Sequence, residues 1–467
     1  MALFFVQKTS NGKQVTIPNL NYSSYRTVKK HSTPISYLCT KQMASQETLP
    51  TSKYKRIVII GGGFGGIQLA RSLQNAPYQV ILIDKNDSHQ FQPLLYQVAT
   101  AGLDWKLISF SYSSIFKKNK NVLFRQANVD EILPEQNIIN TSIGTIDFDY
   151  LVFANGGRNK YRNKESLQEI VYSLKSVNEA LRLRNHIIKF FNDEENNLAQ
   201  KDLKMNLVVI GGGPTGVEVI GALSEMCNFI LRKCMTEYST KQIQLYLIES
   251  SDRILPMFDE KSSVKAKYTL EKLGIIVRTK THIEKIDNEG ITLKGGETII
   301  TNTVVCASGI QGNAIKGFAA ASQTGDHRFR VNEFNMLEGY NNIFAIGDIA
   351  FRIEKHHLKG YPQVAQVAIQ QAKCLATNFK NQTLNKPLKP FIYIDLGNMV
   401  TLGRIKAVVE IGHFKIYGIP AWFIWAFMHL ISLVGIKNNL AVLIRWVRSY
   451  FNYHSHLKTI IKKNRQV

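Results

Sequence analysis

Apolar residues along this chain gather in short runs, each closed by a cluster of glycines. Arg56-Ile-Val-Ile-Ile60 reads as a buried strand and runs into Gly61-Gly-Gly-Phe-Gly-Gly66. A helical stretch from Ile67 to Leu73 follows, and then a second strand, Tyr78-Gln-Val-Ile-Leu-Ile83, which ends at Asp84. The same succession recurs about 150 residues later. Leu207-Val-Val-Ile210 leads into Gly211-Gly-Gly-Pro-Thr-Gly216, a helix is expected from Val217 to about Cys234, and the strand Ile243–Ile248 ends at Glu249. A hairpin region, Val122 to Asp149, a strand, Tyr150–Ala154, and a charged helical segment, Ser173 to Phe191, are expected between the two units. Short strands from Gly274 to Leu293, a strand at Thr303–Ala307, the run Asn342-Ile-Phe-Ala-Ile-Gly-Asp348 and a helix from about Pro362 to Phe379 follow the second unit.

From Gly412 the pattern changes. Ile419 to Gly435 is mostly apolar and sits at the lower limit for spanning a bilayer. Beyond it, helical spacing puts Leu440, Leu443, Ile444, Val447 and Phe451 on one face, and Arg445, Arg448 and Asn452 on the other.

Strand, glycine-rich turn, helix and acid-ending strand make a dinucleotide-binding unit, and here it occurs twice. In the first unit Gly61, Gly63 and Gly66 take the motif positions, with Phe64 and Gly65 between them. Gly61 permits the tight turn, Gly63 lets the backbone approach a pyrophosphate, and Gly66 lets helix and strand pack closely. The phosphates then lie at the positive end of the helix dipole. Asp84, with Lys85 after it, is placed to accept from a ribose hydroxyl. Gly211, Gly213, Pro214, Thr215 and Gly216 repeat the arrangement, with Glu249 as the acid. A carboxylate there repels a 2′-phosphate, so NADH is expected rather than NADPH.

Gly347-Asp348 helps to decide which unit holds which cofactor. A carboxylate there suits the ribityl hydroxyls of a flavin, and the helix near Pro362 could aim its N-terminus at the flavin C2 oxygen. The fold class expected is therefore α/β, with two Rossmann-like dinucleotide-binding domains, the FAD domain being interrupted by the NADH domain. A C-terminal amphipathic helical membrane anchor is expected to follow. The expected limits are 1–52 for an N-terminal extension, disordered or targeting, and 53–156 for the first part of the FAD domain. They are 157–303 for the NADH domain, 304–395 for the second part of the FAD domain, and 396–467 for the membrane-associating end.

Charge changes the picture. Lys and Arg number 58 against 35 Asp and Glu, a formal net charge of +23 over 467 residues. From Ile411 to the end there is no acid, yet there are eight Lys or Arg and three of the four tryptophans. Basic charge mixed with Trp, Phe and Leu favours an acidic bilayer surface, and no nucleic-acid motif is present. The apolar and basic faces favour lying in the interface over crossing it. A homodimer formed by the same helices is compatible with this. The five cysteines, Cys39, Cys227, Cys234, Cys306 and Cys374, form no C-x-x-C pair, and no Cys/His cluster has metal-ligand spacing, so no metal is expected. Cys306 reads as a buried core thiol, and His89, His413 and His429 as packing or interfacial histidines.

The motifs resemble the single-subunit type II NADH:quinone oxidoreductases of respiratory membranes over about residues 54–453. The matching runs are the two glycine turns, the second continuing to Glu218, together with His89-Gln-Phe-Gln-Pro-Leu-Leu-Tyr-Gln-Val-Ala-Thr100 and Phe344-Ala-Ile-Gly-Asp348. Ala365-Gln-Val-Ala-Ile-Gln370 and Leu402-Gly-Arg-Ile-Lys-Ala-Val-Val409 complete them. Where the family usually has Trp this chain has Cys306, and Asn155 stands where Thr is common.

The resemblance implies FAD and NADH as cofactors, hydride transfer from NADH to FAD, and then transfer of two electrons to a membrane quinone, ubiquinone or menaquinone, without proton pumping. Glu218 would lie near nicotinamide and flavin, positioning NADH and moving protons. Gln366 and Gln370, four apart on one helix face, would border the quinone pocket against the flavin. A soluble NADH-dependent reductase of a small redox protein, or an NADH-binding flavoprotein with a signalling role, are the competing readings. The soluble reductase would not need the acid-free apolar end, and Glu218, Gln366 and Gln370 argue against the signalling role, which turnover with a quinone decides.

Up to Gln46 there is no acid, while Lys8, Lys13, Arg26, Lys29, Lys30 and Lys41 are present. That composition fits a mitochondrial transit segment, a disordered tail or an over-long start equally. A peripheral position on the cytoplasmic face of a bacterial inner membrane is expected ahead of a mitochondrial inner membrane.

Overall fold

A computed structural model describes residues 49–159, 167, 169–196, 205–227, 243–313, 315–355, 357–433 and 436–452. The N-terminal segment read above as targeting, tail or over-long start lies outside them, apart from its last few residues.

The chain enters at β1 (Arg56–Ile60), turns into α1 (Phe64–Ser72) and returns as β2 (Gln79–Asp84). A short helix, α2 (Leu95–Ala99), precedes β3 (Val122–Gln126), and β4 (Tyr150–Phe153) follows. The second unit holds β5 (Val171–Tyr172), α3 (Val177–Asn196), β6 (Met205–Ile210) and α4 (Pro214–Glu225). It goes on through β7 (Ile243–Ile248), β8 (Ile275–Arg278) and β9 (Thr303–Cys306). The chain then returns to the first unit as β10 (Ile343–Ala345) and α5 (Ala365–Thr383).

Two five-stranded parallel sheets result, in the orders β10-β4-β1-β2-β3 and β5-β9-β6-β7-β8. Each places its glycine-turn strand at the centre, and burial on both faces explains runs such as Ile-Val-Ile-Ile. Val58 pairs with Ile81 on one side and Leu151 on the other, while Val208 pairs with Tyr246 and Val304. A three-stranded antiparallel sheet precedes β4 in the first unit and β9 in the second: Val129–Leu133, Ile138–Thr141 and Gly144–Asp147 in one, Ile283–Asp287, Gly290–Leu293 and Thr298–Ile300 in the other.

Two expectations need correction. Val122–Gln126 is not part of a hairpin; it pairs with β2 in parallel as the sheet edge, because Val-Leu-Phe offers a continuous apolar run. The limit drawn at 303/304 falls inside β9, which pairs with β6 and so belongs to the second sheet.

The C-terminal part forms an antiparallel sheet of β11 (Asn398–Thr401), β12 (Ala407–Ile411) and β13 (Phe414–Gly418), then α6 (Ile419–Ser432) and α7 (Ile436–Asn452). It shares one core with α2, α3 and α4, centred on Trp425, which is 0 % exposed, and on Val442 and Trp446. The apolar stripe expected on the last helix faces outward, away from this core: Leu440, Leu443, Ile444 and Val447 are exposed. Phe423, Phe427 and Ile431 of α6 are exposed as well. Among the described residues no helix is long and apolar enough to cross a membrane.

Candidate functional site

Each glycine turn opens in the left-handed region, Gly61 at φ +98° and Gly211 at φ +106°, where an L side chain is strained. The last glycine of each turn is a close approach. A Cβ on Gly66 would lie 1.8 Å from the Gly61 carbonyl oxygen, and one on Gly216 would lie 1.9 Å from that of Gly211. The middle glycines face open space: a Cβ on Gly213 would meet nothing within 4 Å, and one on Gly63 only the Ala154 carbonyl oxygen at 3.9 Å. No side chain caps α1 or α4, so their first-turn N–H groups face that space. This is the arrangement that takes a phosphate, and the residues present fit two dinucleotides.

The two acids are built into the turns. Asp84 Oδ2 accepts from Gly62 N–H at 2.7 Å, and Glu249 Oε2 accepts from Gly212 N–H at 2.5 Å. Burial would raise the pKa of Glu249, but N–H groups of Ser251 and Gly212 outweigh it and hold the value below the ordinary one. The carboxylate is therefore charged. Behind the first turn the Gly62 carbonyl accepts from Tyr112 Oη at 2.8 Å and from His89 Nδ1 at 3.0 Å. His89 is buried between Phe64 and Phe110, and burial lowers its pKa, so it is a packing histidine. Phe64 also packs edge-on against Phe91. Gly65 faces Ile346 and Ala368, while Lys85 and Thr215 are exposed and Pro214 begins α4.

Asp348 stands on a turn after β10, with Lys175 Nζ at 3.8 Å from its Oδ2. A residue the motifs did not single out fixes this turn. Gln371, buried on α5, accepts from Gly347 N–H at 2.7 Å and donates to Asn335 Oδ1 at 2.9 Å. Its adjacency to Gln370 was the only sequence signal. Gln366 and Gln370 share a face as expected, and both amides grip an extended segment. Gln366 bonds Leu396 N–H and the Gly397 carbonyl, and Gln370 bonds both backbone groups of Ile394. Cys306 is buried in β9, its carbonyl accepting from Asn159 Nδ2.

Glu218 lies on α4 against the C-terminal sheet. Its Oε1 accepts from Thr401 N–H at 3.3 Å, and the Thr401 side chain and the Trp425 indole also interact with it. Desolvation outweighs these contacts and pushes its pKa up to about 8. The Thr401 hydroxyl lies 2.9 Å from Tyr96 Oη, which accepts from Gln97 Nε2 at 3.2 Å. Trp446 Nε1 donates to Gln97 Oε1 at 2.9 Å. One helix turn pair further along α4, Glu225 accepts from Arg404 N–H, and desolvation raises its pKa to about 7. The motif reading missed Tyr96, Thr401 and Glu225, although Glu225 sits seven residues after Glu218 on the same helix face.

Residues 55–372 match the model of the pyridine nucleotide-disulphide oxidoreductase family. A Mycobacterium tuberculosis protein named type II NADH:quinone oxidoreductase NdhA is 31 % identical over 434 residues, covering 87 % of this chain and 90 % of that protein. The chain belongs to the type II NADH:quinone oxidoreductases. A Haemophilus influenzae member is 29 % identical over 76 % of this chain and 86 % of its own. The fold is similar to that of NDH2 of Plasmodium falciparum, solved in complex with NADH. That structure matches with a TM-score of 0.79 at 19 % identity, over 86 % of this chain and 100 % of that one.

Proposed function

We propose that this chain takes hydride from NADH onto FAD and passes two electrons to a membrane quinone, without proton pumping. What carries the reading is the pair of uncapped, glycine-lined helix starts in one polypeptide of this family. When bound, FAD supplies the two-electron link between the substrates. The chain's own part is to bind, orient, exclude water and supply protons.

In this reading the turn from Gly61 to Gly66, with Phe64 and Gly65, holds the flavin nucleotide, with Asp84 and Lys85 toward its ribose. Asp348 and Gln366 stand at the flavin end. Gly211, Gly213, Pro214, Thr215 and Gly216 hold NADH, with Glu249 on its ribose. Glu218 positions the nicotinamide and holds a proton at neutral pH, since burial keeps it largely uncharged. The face of Gln366 and Gln370 borders the quinone, and their bonds to residues 394–397 shape the wall of that pocket.

The outward faces of α6 and α7 support attachment to an acidic bilayer. Phe423, Phe427 and Ile431 recur every four residues, so they form one stripe, and Leu440, Leu443, Ile444 and Val447 form another. A lipid-dissolved quinone would reach the protein from that side. The cytoplasmic face of a bacterial inner membrane is the position proposed, and a homodimer through the same stripes is the competing use of them.

The test is an absorption spectrum of the purified protein. Flavin bands are expected, bleached by NADH and restored by a soluble quinone. Folded protein that stays colourless with added FAD, or flavin that NADH does not bleach, overturns the proposal.

A further inference from the structure

The net reaction, NADH + H⁺ + quinone → NAD⁺ + quinol, takes one proton from solvent in each turnover. Glu218 is half-buried against Thr401 and Trp425, and the hydroxyl row that begins at Thr401 offers its carboxyl a route by which a lost proton is replaced. The hydroxyls beside it are ordered for that purpose. Gln97 Nε2 can only donate, so the Tyr96 oxygen accepts there and its own hydrogen is left for Thr401 Oγ1, 2.9 Å away. The Thr401 hydrogen is then left for Glu218.

The outer end of this row opens on a cleft between α2, α4, the β11–β12 turn and the two last helices. Tyr96, Gln97, Glu225, Arg404, Trp422 and Trp446 are among its lining residues. We infer that Tyr96 and Thr401 form a proton relay that refills Glu218, and that Glu225 is the acid that loads the relay from the cleft.

This rests on the proposed role of Glu218. In each step an O–H bond breaks as the next one forms. Glu218 carboxylate takes the Thr401 proton, Thr401 takes that of Tyr96, and Tyr96 is reprotonated from the cleft by Glu225, so no charge is left on either hydroxyl. The titratable and charged groups facing Glu225 are Arg404 of the β11–β12 turn and Tyr96 of α2; Tyr96 also faces Glu218. His429 of α6 stacks on Trp425, with ring centroids 4.2 Å apart, and burial holds it neutral, so it adds no charge. The Glu225 carboxyl titrates near neutrality, where an acid that both takes and gives a proton works best.

The experiment follows reoxidation of the NADH-reduced, full-length holoenzyme by a soluble quinone, in light and heavy water, from about pH 6 to 9. Flavin absorbance in each variant reports folding. Thr401→Val and Tyr96→Phe are expected to slow reoxidation by roughly tenfold or more, with a changed solvent isotope effect. Thr401→Ser, which keeps the hydroxyl, is expected to restore rate and pH profile. Glu225→Gln is expected to remove the inflection near neutral pH. The relay is overturned if Thr401→Ser is as slow as Thr401→Val, or if Glu225→Gln keeps the wild-type pH profile. The second comparison stands even if Thr401→Val or Tyr96→Phe fails to hold flavin. Wild-type protein that reduces no quinone at all would overturn the functional reading itself, which is a separate outcome.

Discussion

The carboxyl of Glu218 meets the backbone N–H of Thr401 at 3.3 Å, although 183 residues separate them along the chain. This contact joins the helix that starts at the second glycine turn to the C-terminal sheet. It buries an acid between two parts of the molecule, and the consequence is a carboxyl that titrates near pH 8 instead of near 4.5.

Quinone reduction should therefore fall as pH rises through about 8, where the Glu218 proton is lost. Stability follows the same sign. The folded pKa lies above the unfolded one, so the contribution of Glu218 is fully present below about 4.5 and is lost as pH rises through about 8. Glu218→Gln should remove both dependences near pH 8, while the Glu225 inflection near 7 remains in the melting temperature. Steady-state rates and melting temperatures across pH check this. An unchanged inflection near pH 8 in Glu218→Gln would sink it.

The two glycine turns should separate by colour. A methyl group on Gly66 would strike the Gly61 carbonyl oxygen, and one on Gly216 that of Gly211. Overpacking of this kind costs roughly 1–3 kcal/mol or more. Gly66→Ala should emerge without flavin, whereas Gly216→Ala should stay yellow and need roughly tenfold or more NADH for half-maximal bleaching. If Gly216→Ala were the colourless variant, the assignment of cofactors to the two turns would be reversed.

Glu249, at the end of β7, is held charged by the N–H groups of Ser251 and Gly212. Neutralising it in Glu249→Gln should lessen discrimination against NADPH by roughly tenfold, the weight of a charged hydrogen bond of about 1.5–3 kcal/mol. Ratios of kcat/KM for the two nucleotides measure this, and an unchanged ratio would remove Glu249 from the ribose site.

On α6, outward and inward aromatics should behave oppositely. Changing Phe423 and Phe427 together to Asn removes exposed apolar surface worth roughly 1.5–3 kcal/mol per side chain when buried in lipid. Binding to vesicles containing anionic lipid should fall by 100-fold or so, with flavin content and soluble-quinone activity retained. Trp425→Ala, by contrast, empties a fully buried site and should cost roughly 3–5 kcal/mol of stability. Loss of dimer mass in the Phe423/Phe427 variant with unchanged vesicle binding would assign the stripe to self-association.

Gln371 should matter more to the flavin than its exposed-side neighbour Gln370. Gln371→Ala leaves the Gly347 N–H and the Asn335 amide without partners, at about 1–3 kcal/mol. Faster flavin loss on dilution than in Gln370→Ala is the expected result, and equal retention would count against the role.

The sequence by itself determined whatever depends on near neighbours. The two glycine turns, the acids Asp84 and Glu249, and the helix faces of Gln366 with Gln370 follow from spacing, because backbone geometry fixes those relations within a few turns or one strand. Fold class was readable for the same reason, since each apolar strand carries its own burial pattern. Only tertiary structure decided which partners distant residues meet. Periodicity could place Leu440 and Val447 on one face of α7, but not say that Val442 and Trp446 are the pair turned inward. It could not join Thr303–Cys306 to the second sheet, nor spend the Gln366 amide on residues 396 and 397. Above all, the acidity of Glu218 depends on Thr401, Trp425 and Tyr96 closing around it. Desolvation is a property of the volume surrounding a group, and no stretch of chain near Glu218 encodes that volume.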